Sequence, residues 1–206
     1  MTDISDFQAG ELHYQVPNFG KNTMSDQEKQ WSADFGNAYT ARNRVDWRAR
    51  IPFWKAVIDK IGARSVSEIG CNAGWNLSAI MRACPDVQTY GVEINACAAL
   101  QARAAGLKIL DHYPTAELVF TAGVLIHQNK DGCKTMMDQI IDASYRYVLA
   151  IEYEAATEEE VIYRGMAGML WRRPYGKMYE EMGLRVVQKW AAAGFDNCTA
   201  WLFEKP

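Results

Sequence analysis

The sequence has no surplus of basic residues: 22 Lys and Arg stand against 25 Asp and Glu, a formal net charge of −3. Binding to duplex DNA or RNA rests on neutralising phosphates with a basic face, so the balance speaks against a nucleic-acid partner. A Cys-x-x-Cys pair is also missing. Cys71, Cys84, Cys97, Cys133 and Cys198 are scattered, odd in number and without a His at zinc-ligand spacing. They read as reduced intracellular thiols, and no metal is expected. No apolar run approaches the ~20 residues that cross a bilayer. The polar, acidic start Met1-Thr2-Asp3-Ile4-Ser5-Asp6 is unlike a signal peptide. The expected location is the cytoplasm, with no membrane partner. Repeats and low-complexity tracts are missing too. In an intracellular chain the sequon Asn197-Cys198-Thr199 reads as a chance match.

What is present suits one globular domain with embellishments: 206 residues, 49% hydrophobic and 23% charged. Pro17, Gly10 and Gly20 mark an irregular arm over residues 1–24. Ser25-Asp26-Gln27-Glu28 is a capping box that opens a helix. Trp31, Phe35 and Tyr39 follow at steps of four and share one face of it. Residues 1–50 are thus an arm and a helical lid, and residues 51–206 an α/β domain. Pro52 starts a helix with Phe53, Trp54, Val57, Ile58 and Ile61 on its apolar face, and Gly62 ends it.

From Ser65 to Tyr153 the pattern alternates. Strands are expected at 65–70, 89–94, 107–110, 117–121 and 145–153. Helices are expected at 76–83, with Leu77, Ile80 and Met81 inward, from Asn95 to Gly106, and at 134–143. Alternation with short connections predicts a mostly parallel sheet with helices on both faces. Thr157-Glu158-Glu159-Glu160 reads as a solvated acidic turn or helix start. After a helix at 176–182, strands at 184–190 and 199–204 flank the turn Gly194-Phe195-Asp196-Asn197, an antiparallel pair closing the sheet.

The central motif is Glu68-Ile69-Gly70-Cys71-Asn72-Ala73-Gly74-Trp75-Asn76, between the first strand and its helix. In an open parallel sheet ligands bind beyond the carboxyl ends of the strands. Gly70 and Gly74 let the backbone turn tightly and approach a ligand, or are turn glycines only. Glu93 ends the next strand, where a carboxylate can accept both ribose hydroxyls of an adenosine. The turn is not Gly-x-Gly-x-x-Gly, so a dinucleotide's pyrophosphate has no standard cradle.

With the strand ends Gly91-Val92-Glu93-Ile94-Asn95 and Leu118-Val119-Phe120-Thr121-Ala122-Gly123-Val124-Leu125-Ile126-His127, residues 65–153 resemble a class I methyltransferase dependent on S-adenosylmethionine (SAM). More narrowly, the chain is similar to the small methylases associated with pseudaminic acid biosynthesis. That similarity extends to Glu28-Lys29-Gln30-Trp31, Phe35-Gly36, Tyr39-Thr40, Arg42-Asn43, Glu152-Tyr153 and Tyr163-Arg164-Gly165, and departs at Trp171-Arg172-Arg173-Pro174-Tyr175. The resemblance implies a Rossmann-like sheet and SAM as cofactor. Gly70, Asn72 and Gly74 would cradle its amino-acid part, and Glu68 would orient that loop or the ammonium. Glu93 would hold the ribose and Ile94 would pack on adenine. Asp111 would accept the adenine amino group, unless it is merely solvated. Thr121 and Gly123 would meet the cofactor or form a buried strand end.

His127 and Tyr153 are the catalytic candidates: an imidazole at the mouth can take a proton from an acceptor hydroxyl or amine. The plainer reading of His127 is a satisfied histidine near a helix start. Tyr39 and Arg42 would touch the SAM carboxylate or the acceptor, an Arg fork suiting a carboxylate. Tyr163, Arg164, Arg172 and Arg173 are acceptor candidates or a solvated turn. The expected reaction is methyl transfer to an O or N atom of a small polar acceptor, for example a sugar or sugar-nucleotide. Two rivals stay open. One is a methyltransferase acting on nucleic acid or protein, whose mark would be Arg42, Arg44, Arg48 and Arg50, more simply read as coating a helix. The other is a non-catalytic SAM-binding subunit of a biosynthetic complex.

Overall fold

The computed structural model describes residues 24–206; the N-terminal arm expected over residues 1–24 falls almost wholly outside them. Helix α1 (Asp26–Ser32) begins at the expected capping box. The Ser25 hydroxyl accepts from the Glu28 N–H at 3.1 Å, and the Glu28 carboxylate accepts from the Ser25 N–H at 2.7 Å. The aromatic stripe does not lie on one helix. The chain turns extended at Ala33 and restarts as α2 (Asp34–Arg42). Trp31 still meets Phe35 and Tyr39 edge-on, at 5.0 and 5.1 Å between ring centres. Two carbonyls at the break, those of Trp31 and Ala33, are taken by the Asn95 amide at 3.1 and 3.4 Å. A long-range partner therefore outweighs the local periodicity here.

A 3₁₀ turn at Trp47–Arg50 leads into α3 (Ile51–Ile61), which carries Pro52 in its first turn and is capped by Gly62, close to the expected bounds. The alternating part follows: β1 (Ser65–Ile69), α4 (Trp75–Ala83), β2 (Gln88–Val92), α5 (Ala96–Ala104), β3 (Ile109–Leu110), β4 (Ala116–Ala122), α6 (Lys130–Ala143) and β5 (Ser144–Glu152). Then come β6 (Glu159–Glu160), β7 (Trp171–Arg172), α7 (Tyr175–Glu181), β8 (Arg185–Ala191) and β9 (Thr199–Glu204). Seven strands form one sheet in the order β3-β2-β1-β4-β5-β9-β8. The first five run parallel, and β9 runs antiparallel to both β5 and β8. The mostly parallel sheet with a terminal antiparallel pair is the expected one.

Both faces of the central strands are buried, so they read as apolar runs rather than alternating ones. Leu118 and Phe120 of β4 and Leu149 and Ile151 of β5 face a core built with α3 and α4. Val119, Val148 and Ala150 face a second core with α6 and α7. Within the first, Trp54 is fully buried and its ring lies 4.4 Å from that of Phe120.

Three expectations fail locally. Met81 is 41% exposed rather than inward. Helix α6 starts a turn early because the Asn129 side chain caps it, accepting from the Gly132 N–H at 2.8 Å. The acidic run is solvated as expected, but its last two residues, Glu159 and Glu160, are extended in β6, where Glu159 stands opposite Arg172 of β7, rather than in a turn or helix start. Among the described residues no helix is long and apolar enough to cross a membrane.

Trp54→Ala is expected to destabilise the protein by about 3–5 kcal/mol, the range for a large aromatic deleted from a packed core. Urea denaturation followed by far-ultraviolet circular dichroism measures it.

Candidate active site

A cavity of about 530 Å³ opens at the carboxyl ends of the parallel strands. Its floor is the turn after β1, the end of β2 and the end of β4. Lid residues of α1 and α2, the loop before β7 and the turn at 194–196 complete it. Such a crevice is where an open α/β sheet places its ligand.

The turn after β1 is shaped by close approach. Gly70 has φ +75, and a Cβ there would lie 2.6 Å from the Val124 side chain, so only glycine lets the β1 and β4 turns meet. Asn72 also adopts a left-handed backbone, φ +48, and braces it with its own Oδ1, which accepts from the Ala73 N–H at 2.7 Å. Its amide nitrogen donates to Thr40 Oγ1 at 3.0 Å, tying the turn to the lid.

Glu93 is buried on the cavity wall. Its two carboxylate oxygens accept from the backbone N–H groups of Asn95 and Asn72, each at 2.7 Å. Burial pushes its pKa up, and these amides oppose the rise.

Glu68 lies deeper. Its Oε1 accepts from the Asn76 side chain at 2.6 Å, while Oε2 is buried and has no partner. Burial raises its pKa to about 8; Asn76 and Arg50 pull it down and Glu93 pushes it up. Asn76 in turn accepts from Arg50 at 2.9 Å and from the Trp54 indole at 3.4 Å. Arg50 also donates to the Gly194 carbonyl at 3.0 Å and lies over the Phe195 ring at 4.1 Å. The sequence reading missed Arg50 and Asn76. Arg50 is the one member of the Arg42–Arg50 group that turns inward to this network, and nothing in its local spacing marks it.

The lid side is aromatic. His127 is buried, with ring centres of Trp31 and Tyr163 at 4.4 and 5.4 Å. Its Nδ1 lies 2.7 Å from the Met169 carbonyl. A carbonyl only accepts, so Nδ1 carries the proton and Nε2 the lone pair. Burial lowers its pKa to about 4, so the ring is neutral at physiological pH. Burial also raises Tyr39 and Tyr153 to about 12. Tyr153 is therefore a donor rather than a base, and its hydroxyl lies 3.4 Å from Asp196.

Of the residues expected at the site, the cavity gathers Tyr39, Arg42, Glu68, Gly70, Asn72, Glu93, Ile94, Gly123, His127, Tyr153, Tyr163 and Arg164. Five others are not on its wall. Gly74 caps α4, and a Cβ there would strike Leu107. Asp111 is exposed and pairs with His112 at 2.9 Å. Thr121 is buried within β4. Arg172 is exposed on β7. Arg173 is 1% exposed and donates to Glu158 at 2.6 Å and to the Gln128 carbonyl at 2.9 Å, pinning the β6–β7 hairpin to the segment after β4. Glu152, the last residue of β5, holds that same segment by accepting from the N–H groups of Val124, Leu125 and Ile126 at 3.2 to 3.4 Å. Among the described residues no group of three or more His, Cys, Asp or Glu is arranged to hold a metal ion.

Strand order and the closing antiparallel pair give the chain a Rossmann-like fold, one that solved methyltransferase structures share. Solved structures carry the same fold at low identity. Magnesium protoporphyrin IX methyltransferase from Synechocystis PCC 6803, with bound SAM, aligns with a TM-score of 0.65 at 12% identity, over 90% of this chain and 100% of that one. The 1,6-didemethyltoxoflavin-N1-methyltransferase of Burkholderia thailandensis, with bound 1,6-didemethyltoxoflavin and S-adenosylhomocysteine, aligns with a TM-score of 0.67 at 13% identity, over 92% and 93%. Mitomycin 7-O-methyltransferase aligns with a TM-score of 0.65 at 17% identity, over 87% of this chain and 60% of its own length. No protein-family model and no curated protein matches the sequence.

Glu68 generates a pH signature. Its folded-state pKa is raised above the unfolded value, so the folded state binds the extra proton. Stability is full below about pH 4.5 with respect to this group and is lost as pH rises toward about 8. Glu68→Gln keeps the shape without the charge. It is expected to reduce that alkaline loss, read from urea midpoints between pH 5 and pH 8.5.

Proposed function

We propose that the cavity binds SAM and that the protein transfers its methyl group to an O or N atom of a small polar acceptor. The observation that carries this reading is Glu93: a buried carboxylate at the end of β2, fixed by two backbone amides on the cavity wall. That is the arrangement a ribose diol requires. Two further features fit the cofactor. Glu68 Oε2 is buried without a partner at the β1 turn, suited to the ammonium of the amino-acid end. Arg50, beside it, is suited to the carboxylate. Ile94 offers an apolar wall for the adenine. The SAM and S-adenosylhomocysteine in the neighbouring structures support the same assignment.

When bound, SAM supplies a methyl group on a sulfonium, which departs as a neutral thioether. The chain's own residues then have three tasks. Gly70, Asn72 and Glu93 hold the donor. Lid residues 25–44, tied down through Thr40 and Asn95, close over the acceptor and exclude water, which supplies most of the acceleration by proximity. His127 keeps a free Nε2 lone pair for the acceptor's proton. With its pKa near 4 it is a weak base, which takes that proton only once the attacking atom has become acidic. Tyr153, whose hydroxyl donates to Asp196, lines the acceptor side of the cavity. The resemblance to methylases associated with pseudaminic acid biosynthesis supports an acceptor of sugar type.

Glu93→Ala is expected to weaken S-adenosylhomocysteine binding at least tenfold, since a hydrogen bond to a charged group is worth about 1.5–3 kcal/mol. Titration calorimetry reads the change and circular dichroism checks that the variant is folded. Wild-type protein that takes up no S-adenosylhomocysteine overturns the reading.

A further inference from the structure

The cations at the cavity's mouth are not explained by the cofactor. Arg42, on the lid helix α2, lies with its guanidinium 5.6 Å from the Phe35 ring centre. Arg164, on the loop before β7, lies 5.9 Å from the Tyr163 ring centre. Phe35 and Tyr163 themselves meet edge-on at 6.2 Å. The two arginines therefore flank one ring pair, one from the lid and one from the loop. Arg44 lines the same mouth. Among the described residues none of the three guanidiniums forms an ion pair, whereas Arg48, Arg146, Arg173 and Arg185 each face a carboxylate.

Arg164 is held there against its backbone preference. It has φ +53 and Gly165 φ +80, at the tip of a tight turn closed by paired bonds between Tyr163 and Met166 at 2.9 and 3.0 Å. Both central residues with positive φ make a turn that favours Asn or Gly. An arginine at the first of them suggests that the side chain is used.

SAM brings one carboxylate, one ammonium and one sulfonium, a net positive ligand. Its carboxylate is answered by Arg50 at the β1 turn. Unpaired guanidiniums beside a sulfonium are repulsive unless an anion lies between them. The acidic wall residues lie against other groups: Glu93 against backbone amides, Glu28 in its capping box, Asp196 against Tyr153, and Glu68 against Asn76 at the β1 turn.

We propose that the methyl acceptor is an anion, carrying a carboxylate or phosphate that Arg42 and Arg164 grip across the Phe35–Tyr163 pair while a hydroxyl or amine elsewhere on it is methylated. The anionic group is the handle and not the attacked atom. The inference rests on the cavity being a SAM site.

The test uses the full chain saturated with S-adenosylhomocysteine at low ionic strength. Three probes are titrated by ligand-observed NMR: glucuronate, glucose 6-phosphate and glucose. The first two separate carboxylate from phosphate, and the third is the neutral control. The expected result is that one anion binds at least about tenfold more tightly than glucose, and that the preference disappears in the Arg42→Gln/Arg164→Gln double variant and weakens with added salt. Equal binding of all three probes overturns the proposal, as does a preference that survives the double substitution. Failure to bind S-adenosylhomocysteine instead removes the cofactor reading beneath it. Success there with no preference for an anion sinks the present inference alone.

Discussion

A carboxylate taken out of water must be neutralised or surrounded by donors, and three of them define the ligand end of this sheet. Glu68 is the penultimate residue of β1, Glu93 follows β2 and Glu152 closes β5, and all three are buried. Strand ends leave backbone N–H groups in the following loops without ladder partners. Glu93 takes those of Asn72 and Asn95, and Glu152 takes those of Val124, Leu125 and Ile126. The demand of the acids and the supply of the loops fix each other. The result is a cavity floor tied together by its own buried hydrogen bonds. Glu68 is the exception, satisfied on one oxygen only, and it is there that the site has unspent capacity.

The second layer is the coupling of lid to floor. Thr40 accepts from Asn72, and the carbonyls of Trp31 and Ala33 accept from Asn95. Gly36 packs so closely that a Cβ would collide with the Trp31 carbonyl and the Asn95 amide. Trp31 and Tyr39 of the aromatic stripe then line the cavity, with His127 tilted against Trp31. The lid is therefore seated through the same two loops that carry Glu93's hydrogen bonds.

Most of the fold was legible in the sequence. Apolar runs at strand spacing, the Pro52 and Gly62 boundaries and the Ser25 capping box are local signals, and the sheet follows from their alternation. The Gly70 turn and Glu93 were legible for the same reason: motif and strand end adjoin in the chain. Asn95 was legible as the cap of α5 but not as a partner of the lid, and Arg50 and Asn76 were not legible, because these roles depend on partners far away in sequence. The Trp171–Tyr175 segment shows the converse. Two adjacent arginines look like one patch, but neighbouring strand residues point to opposite faces. Arg172 accordingly ends in solvent and Arg173 inside, against Glu158. The break at Ala33 was hidden because spacing of four is equally compatible with two short helices stacked by a distant amide.

Asn95 uses both ends of a single side chain. Its oxygen accepts from the Ala98 N–H and starts α5, while its nitrogen holds the lid carbonyls and Asn37. The amide cannot rotate to improve one end without abandoning the other. Formation of the first turn of α5 and seating of the lid are thus a single cooperative event. Amides of the two segments are therefore expected to exchange as one opening unit, although more than fifty residues of chain separate them.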